Sequence, residues 1–291
     1  MIHHYHAGRE SSNPTRRGAN FWYVSNGNLK HADASHAGTR LYLGVELEVD
    51  SFRNGSVAFD ASEYVDSKLG EFAQCVHDGS LCDGFEIVFD PMTLAAFEKI
   101  RPIITEVMDE LNRRGGHSHD SDNCGLHVHV SRAACGNDDD AKALAYGKIM
   151  ELTARFELEF SRFARRDLRC TNWCRPTLYT ADVTDGSRAV RRKAKAFLDW
   201  QGYDCHTDRR YRVWNFQNRN TIECRAFRGT LKSSTFYATL GFVDGLVRFC
   251  TLKTTPEVHA ATFDSMLAWI NNSDAVNYWV ERRHRSIGTA A

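Results

Sequence analysis

Acidic side chains alternate with apolar ones in the stretch Leu43–Asp50, which reads Leu-Gly-Val-Glu-Leu-Glu-Val-Asp. Successive side chains of a strand point to opposite faces, so Glu46, Glu48 and Asp50 would share one face. Neighbouring carboxylates repel one another unless a positive group lies between them. Glu46 and Glu48 would stand about 6.5 Å apart along the strand. This spacing suits one or two Mg²⁺ ions, and the alternative interpretation is a solvated edge strand.

Two histidines alternate with aliphatic residues in a second stretch, Gly125–Val130. In a strand, His127 and His129 would share one face and could both reach one polar cleft. Imidazole is a common ligand of divalent metals. The alternative is that one of the two histidines only forms a hydrogen bond within the sheet.

Two more acids stand inside stretches that read as strands. Glu86 lies within the apolar run Phe85–Phe89, and Glu223 lies within Thr221–Arg228 with Arg225 beside it. Burying an unpaired carboxylate costs several kcal/mol, so an acid at either position needs a partner.

Together these stretches predict one antiparallel sheet whose concave face carries carboxylates and imidazoles. Such a face could hold two hard cations and leave coordination positions open for phosphate oxygens. Positive charge for a transferred phosphoryl group would come from five arginines, which are Arg209, Arg210, Arg212, Arg225 and Arg228. The chain has no glycine-rich phosphate loop of the P-loop or Rossmann type.

The elements that must position these residues give an α+β fold, with helices packed on the face of the sheet opposite the acids. Helices are predicted at 61–74, 92–114, 138–166 and 187–200, from 233 to about 250, and from starts at Thr255 and Ser273. Thr93 is a candidate N-cap, and Pro102 should kink or split its helix. Strands are also predicted at 209–218 and 220–228, with a polar bend between them. A polar bend is predicted at Asn54-Gly55, a hairpin at 21–31 and a flap at 167–185.

Composition gives no sign of a charged or membrane-bound partner. The chain of 291 residues has 37 Lys plus Arg and 37 Asp plus Glu, so its formal net charge is zero. The basic part of the helix, Arg188–Lys195, lacks the interleaved aromatics of nucleic-acid binders. No apolar run approaches the ~18 residues that cross a membrane. We therefore expect no nucleic-acid or membrane partner.

The nine cysteines are an odd number without regular spacing. With no signal peptide, this pattern predicts reduced, buried thiols in a cytoplasmic protein. Cys170 and Cys174 are the closest pair but lack the second pair that a zinc site needs. Along the chain we expect a flexible leader at 1–20, a catalytic domain at 21–255 and a helical cover of that domain at 256–291.

Four motifs in the same order resemble the amidoligase family, whose members are ATP-dependent carboxylate–amine ligases with the glutamine synthetase and glutamate–cysteine ligase fold. They are Gly-x-Glu-x-Glu at 44–48, Gly-Phe-Glu-Ile at 84–87 after an Asp-Gly-Ser turn, Gly-Leu-His-Val-His-Val at 125–130, and Asn215 leading to Thr-x-Glu-x-Arg at 221–225. The resemblance covers about Leu41 to Cys250. It implies a sheet like that of the glutamine synthetase catalytic domain.

The resemblance also implies roles for single residues. Two or three Mg²⁺ ions, with Mn²⁺ as the alternative, would be bound by Glu46, Glu48, Glu86, His127, His129 and Glu223. ATP would contact Arg225, Arg228, Arg210, His127 and Asn215. Catalytic roles fall to Glu48, Glu223 and Arg225, the last of which would stabilise the transferring γ-phosphoryl group.

The implied reaction forms an amide bond through an acyl phosphate, with a glutamate-like or peptide carboxylate and an amine or ammonia as substrates. Asp78 or Asp50 would accept the proton of the attacking ammonium. Two alternatives remain open at this point. One is a phosphotransferase or metal-dependent phosphohydrolase on the same fold, and the other is a non-catalytic binding module.

Overall fold

The computed structural model describes residues 3–4, 41–119, 121, 123–169, 174–175, 186–202, 208–285 and 287. The contacts divide the chain into two compact units. The N-terminal unit comprises the described parts of Met1–Leu126 and Arg228–Phe236, and the C-terminal unit those of His127–Phe227 and Tyr237–Ala291. The predicted hairpin and most of the predicted flap lie outside the described residues.

The N-terminal unit contains four strands in the order β1-β3-β4-β2. Strand β4 pairs antiparallel with both β2 and β3, whereas the short β1 pairs parallel with β3. The strands are β1 (His3–His4), β2 (Leu43–Val49), β3 (Ala73–His77) and β4 (Phe85–Met92). The helices are α1 (Gly55–Leu69), α2 (Leu94–Lys99) and α3 (Arg101–Arg113).

The C-terminal unit contains the strand order β5-β7-β6 and most of the remaining helices. Strand β6 pairs antiparallel with β7. The strands are β5 (Gly125–Ser131), β6 (Trp214–Asn215) and β7 (Thr221–Arg228). The helices are α4 (Asp139–Arg155), α5 (Glu157–Ala164), α6 (Gly186–Gln201), α7 (Ser233–Leu252), α8 (Thr255–Ala260), α9 (Phe263–Ile270) and α10 (Ser273–Arg282). The α+β class and the antiparallel pairing of β2, β4, β6 and β7 are thus confirmed.

Strand β2 is buried on both of its faces. Val45, Leu47 and Val49 are at most 1% exposed, which fits the predicted core face. The opposite face is buried as well, because Glu48 is only 5% exposed and Asp50 only 3%. The alternative of a solvated edge strand was therefore wrong for Glu48 and Asp50, whereas Glu46 on the same face is half-buried.

The region after β2 differs from its predicted elements. Helix α1 begins at Gly55, six residues before the predicted start, because Asn54 is its N-cap and accepts a 3.1 Å hydrogen bond from the Val57 N–H. The Asn-Gly pair was predicted to be a bend. The helix ends at Leu69, and Ala73–His77 forms β3, which was not predicted.

Two long predicted helices are each split in the structure. Pro102 stands in the first turn of α3 and separates it from α2, whose N-cap is Thr93, as predicted. The helix predicted at 138–166 breaks at Phe156, where φ is −106° and ψ is 33°. The Phe156 ring packs edge-on against Phe263 at 5.7 Å, so an aromatic contact accompanies the break.

Segment Arg228–Phe236 completes the core of the N-terminal unit although it lies a hundred residues further along the chain. The Phe236 ring packs at 5.7 Å from Phe89 and 6.2 Å from Phe97. Asn112 also donates a 3.1 Å hydrogen bond to the carbonyl of Leu231.

The C-terminal unit has its own aromatic core, in which Phe242 stacks on Phe163 at 4.4 Å and Phe263 packs on Trp279 at 4.6 Å. No helix among the described residues is long and apolar enough to cross a membrane. Among the described cysteines none forms a disulfide, and all but Cys82 are buried. The prediction of buried thiols is confirmed for six of the seven described cysteines and wrong for Cys82, while Cys170 and Cys205 lie outside the described residues.

Two glycines between β3 and β4 differ in the space around them. A Cβ on Gly84 would overlap the Val49 carbonyl oxygen and come within 2.6 Å of the Asp50 Cα, whereas nothing lies within 4 Å of a Cβ on Gly79. We expect Gly84→Ala to lower the free energy of unfolding by about 1–3 kcal/mol, because backbone atoms cannot move aside cheaply. Gly79→Ala is the control and should change it by less than about 0.5 kcal/mol. Urea unfolding of both variants measures this, and equal effects would contradict the close approach at Gly84.

Candidate active site

A cluster of carboxylates, which we call the acidic group, lies in the N-terminal unit and comprises the buried Glu48 and Glu86 and the half-buried Glu46 and Asp78. The register of β2 and β4 places Glu48 directly opposite Glu86, and each is 5% exposed. One carboxylate oxygen from each of Glu48, Asp78 and Glu86 lies within 4.8 Å of the other two. Like charges opposite each other destabilise a sheet, so this cluster needs a proton or a cation.

Asp78 joins the acidic group from the turn that follows β3. Its Oδ1 accepts a 2.7 Å hydrogen bond from the Ser80 N–H, which fixes the Asp-Gly-Ser turn. Because Val76 of β3 pairs with Glu86, this turn begins next to the acidic part of β4. The sequence placed Asp78 among the proton acceptors and not among the metal ligands, although the turn motif before the Glu86 strand was already visible.

Glu86 has the most perturbed surroundings of the acidic group. Burial raises the pKa of its carboxyl well above the usual 4.5, and the charges of Glu46, Glu48 and Asp78 raise the pKa further. A hydrogen bond with Glu46 contributes in the same direction. Without a cation, Glu86 therefore holds a proton at pH values where an exposed glutamate is ionised. Several carboxylate oxygens around one point are the donors that a hard divalent cation prefers.

Glu48 is fixed by contacts with the start of β5. Its Oε2 accepts a hydrogen bond from the N–H of Gly125, and its backbone carbonyl accepts one of 2.7 Å from the Ser118 hydroxyl. Gly125 is the first residue of β5, the strand that also carries His127 and His129.

Asp50 has a structural role that its alternation with Glu46 and Glu48 did not reveal. Its two carboxylate oxygens accept hydrogen bonds of 3.1 and 2.9 Å from the N–H groups of Cys82 and Asp83. These bonds hold the loop that leads into β4. They favour Asp78 over Asp50 as the proton acceptor.

A second cluster, which we call the Glu223 group, lies in the C-terminal unit. The register of β6 and β7 places Asn215 opposite Glu223, and its Nδ2 donates a 2.8 Å hydrogen bond to Glu223 Oε2. Asn218 donates to the same oxygen at 3.3 Å, and Arg225 Nη1 donates to Oε1. His127 Nδ1 lies 3.7 Å from Oε1. The structure thus brings together four residues that were predicted for the site and adds Asn218.

The donors around Glu223 have a clear electrostatic consequence. Its side chain is only 4% exposed, yet N–H groups reach both of its carboxylate oxygens and Arg225 brings a positive charge. Charge-assisted hydrogen bonds of this kind stabilise an ionised carboxylate and orient both partners. Asn218 was missed because the turn before β7 was predicted only as a polar bend.

The second histidine of β5 has a different neighbour. His129 is half-buried, and its Nδ1 lies 3.2 Å from the hydroxyl oxygen of Thr221. His127 is buried and lies beside Glu223. A ring nitrogen of His129 also lies within 4.8 Å of a carboxylate oxygen of Glu223, so both histidines lie near this glutamate, and His129 lies beside Thr221 as well.

The predicted arginine cluster is divided between two aromatic rings. Arg210 donates a 2.7 Å hydrogen bond to the Tyr211 hydroxyl, and its guanidinium lies 4.8 Å from the ring centroid. Arg225 lies 5.9 Å from the same ring, so Tyr211 links Arg210 to the Glu223 group.

Arg209 and Arg212 lie instead against Trp200, at 5.5 and 5.2 Å. Arg228 ends β7, is half-buried and belongs to the N-terminal unit. Only Arg210 of the three clustered arginines therefore shares a ring with Arg225.

Arg132 positions the turn before β7. Its Nε donates a 2.9 Å hydrogen bond to the carbonyl of Asn218, and its Nη2 donates to that of Phe216. The guanidinium also lies 5.5 Å from the Tyr146 ring. Arg132 follows β5 directly, so it ties the end of this strand to the residues around Asn218.

The fold and the two groups define an α+β protein with a carboxylate-rich candidate metal site. A sequence model of the family described as "Putative amidoligase enzyme" matches residues 24–247. The chain therefore belongs to this amidoligase family, as its motifs indicated. No curated protein matches the chain.

The raised pKa of Glu86 makes the stability of the metal-free protein depend on pH. Because the folded state binds a proton that the unfolded chain releases near pH 4.5, stability should fall as the pH rises above that value, by up to about 1.4 kcal/mol per pH unit for one proton. The fall continues until the pH passes the raised pKa of Glu86. The Glu86→Gln variant should not lose stability in this way as the pH rises, and Mg²⁺ should reduce the loss of stability in the natural protein.

Urea unfolding in EDTA at a series of pH values measures this difference. Glu63→Gln, an exposed acid on α1, is the control and should follow the natural protein. If the free energy of unfolding depended on pH in the same way in the natural protein and in Glu86→Gln, the raised pKa of Glu86 would be contradicted.

Proposed function

We propose that the protein is an ATP-dependent ligase that joins a carboxylate to an amine or ammonia through an acyl phosphate. The observation that carries this proposal is the acidic group, in which oxygens of Glu48, Asp78 and Glu86 lie within 4.8 Å of one another, in a chain of an amidoligase family. The curved, glutamine synthetase-like arrangement of the sheet is part of the same proposal.

The donor set fits Mg²⁺, with Mn²⁺ as the alternative. In the acidic group Glu46, Glu48 and Glu86 would supply the carboxylates, and the raised pKa of Glu86, caused by burial and by the charges of its acidic neighbours, supports a site for a cation. Glu223, His127 and His129 would complete the ligands of two or three ions. When bound, Mg²⁺ would neutralise charge on the phosphates of ATP and on these carboxylates.

Arg225 is the residue that we assign to the transferring phosphoryl group. Glu223 accepts a hydrogen bond from Nη1 of Arg225, and this bond fixes the orientation of the Arg225 guanidinium. Arg210 adds a second positive charge beside Tyr211, and Asn215 keeps Glu223 in place. Preorganised charges of this kind need no rearrangement as negative charge develops. Arg228 is the third arginine that we assign to ATP.

The reaction consists of two steps. An oxygen of the substrate carboxylate attacks the γ-phosphorus of ATP, the bond to the β-phosphate oxygen breaks, and ADP leaves. The amine nitrogen then attacks the acyl carbon, and phosphate leaves with the electrons of the carbon–oxygen bond. The surplus proton of the amine passes to a carboxylate of the protein. Asp78 is suited to accept it, because it is half-buried at the edge of the acidic group.

Incubation with Mg²⁺, ATP and a pool of amino acids and small peptides tests this function. We expect amide products, seen by mass spectrometry as two substrates joined with loss of water, and one ADP released per amide. ADP release that needs no amine would instead indicate a phosphohydrolase. Phosphorylated substrate without amide would indicate a phosphotransferase, and neither result is compatible with the ligase.

Glu223→Gln and Glu46→Gln should each lower Mg²⁺-dependent turnover at least about hundredfold, because each removes a charge that acts on the metal or on Arg225. Glu63→Gln is the control and should leave turnover unchanged. If the acidic group and the Glu223 group serve one reaction, their effects on turnover should not be independent. The fold-decrease in turnover of the double variant Glu86→Gln, Glu223→Gln should then be smaller than the product of the fold-decreases of the two single variants. Near-normal turnover in the single variants would reject the assignment, and circular dichroism checks that they fold.

A further inference from the structure

A separate cleft in the C-terminal unit shares no residue with the acidic group or the Glu223 group. It has a volume of about 390 Å³. Arg155 at the end of α4 and Glu159 on α5 form one side, while His259 on α8, Asp264 on α9 and Trp279 on α10 form the other. Pockets of a few hundred Å³ hold small organic ligands.

The only fully cationic side chain of this cleft is already engaged by the protein. Arg155 donates hydrogen bonds to the carbonyls of His259 and Val258, both at 2.7 Å, and to that of Ala261 at 3.0 Å. Its guanidinium also lies 4.7 Å from the Phe156 ring centroid. These bonds hold the C-terminal end of α8. The charge of Arg155 is offset by Glu151, whose Oε1 lies 3.6 Å from Nη1, so the cleft offers little to an anion.

Negative charge in the cleft comes from Glu159 and Asp264. Within the part of the chain that the structure describes, neither carboxylate forms an ion pair. Asp264 Oδ1 accepts a 2.7 Å hydrogen bond from Trp279 Nε1, which is a neutral donor and leaves the charge uncompensated. Glu159 is half-buried and Asp264 is exposed, so a ligand can reach both.

Aromatic rings supply the apolar wall. Phe263 packs against Trp279 at 4.6 Å and against Phe156 at 5.7 Å, and all three rings line the cleft. The faces of aromatic rings attract cations, and Trp attracts them most strongly. The Phe156 ring already has the Arg155 guanidinium beside it, so Phe263 and Trp279 are the rings that remain for a ligand next to the two acids.

His259 forms a fixed part of the cleft floor. Its Nε2 lies 2.8 Å from Oε2 of Glu151, and the two side chains are 9% and 5% exposed. Thr254 forms a capping box with Glu257 at the start of α8, and Thr262 forms one with Ser265 at the start of α9. The helices that carry the cleft residues are therefore anchored at their ends before any ligand binds.

We propose that this cleft is a binding site for a small organic cation, namely a primary amine that carries a hydrophobic group. The ammonium lies between Glu159 and Asp264, and the hydrophobic group lies against Phe263 and Trp279. This proposal does not depend on the ligase reaction, because it involves other residues and no nucleotide.

Isothermal titration calorimetry with 2-phenylethylamine, on the full chain without ATP or Mg²⁺, tests the site. We expect saturable binding of one amine per chain. The neutral analogue 2-phenylethanol should bind at least about tenfold more weakly, because it lacks the charge that the two acids and the rings attract. Binding of the amine should also weaken at high salt.

The double variant Glu159→Gln, Asp264→Asn should weaken amine binding at least about tenfold and leave binding of the alcohol unchanged. Asp264→Asn keeps the oxygen that accepts from Trp279, so the fold should persist, and the melting temperature checks this. Glu281→Gln, an exposed acid on α10 outside the cleft, is the matched control and should not change the affinity. No saturable binding, equal affinities for amine and alcohol, or an undiminished affinity in the double variant would each overturn the proposal.

Discussion

Two carboxylates face each other across neighbouring strands inside this protein, and the arrangement of the N-terminal unit depends on that opposition. Glu48 and Glu86 are both nearly inaccessible to water, so neither charge is screened by solvent. The resulting repulsion is relieved by a proton on Glu86 in the absence of metal. A protein keeps such a costly arrangement where binding of a cation requires it, since stability is commonly traded for function at active sites.

The Glu223 group surrounds a buried glutamate with hydrogen-bond donors, which is the opposite of the acidic surroundings of Glu86. Glu86 lies among other acids, whereas Glu223 lies among the donors of Arg225, Asn215 and Asn218. Glu86 therefore needs a proton or a cation from outside the chain, whereas Glu223 has the guanidinium of Arg225 beside it. The pair illustrates how neighbouring residues, and not residue type, decide what a buried carboxylate can do.

The sequence predicted the strands that carry chemistry better than the elements between them. Alternation of acids or histidines with aliphatic residues is a strong signal, and it placed β2, β4, β5 and β7 correctly. Residues in turns were harder to place, because alternation says nothing about a residue between strands. Asp78 and Asn218 reach their clusters through the pairing of the strands on either side of them, β3 with β4 and β6 with β7. Asn54-Gly55 was misassigned for a local reason, since an Asn-Gly pair can form a bend or begin a helix.

Burial was the other property that the pattern could not give. Alternation shows which side chains share a face, but not whether that face meets water or more protein. The helix break at Phe156 could not be read from the pattern either, because the contact that accompanies it is with Phe263, more than a hundred residues away in the sequence.

The late return of the chain to its first unit has a consequence for synthesis on the ribosome. Phe89 and Phe97 are made early, but their partner Phe236 and the Leu231 carbonyl that Asn112 binds are translated only after the His127–Phe227 part of the C-terminal unit. The core of the N-terminal unit therefore stays incomplete until these residues have been translated. Because each unit consists of two separate segments of the chain, truncation at a single position cannot yield either unit whole.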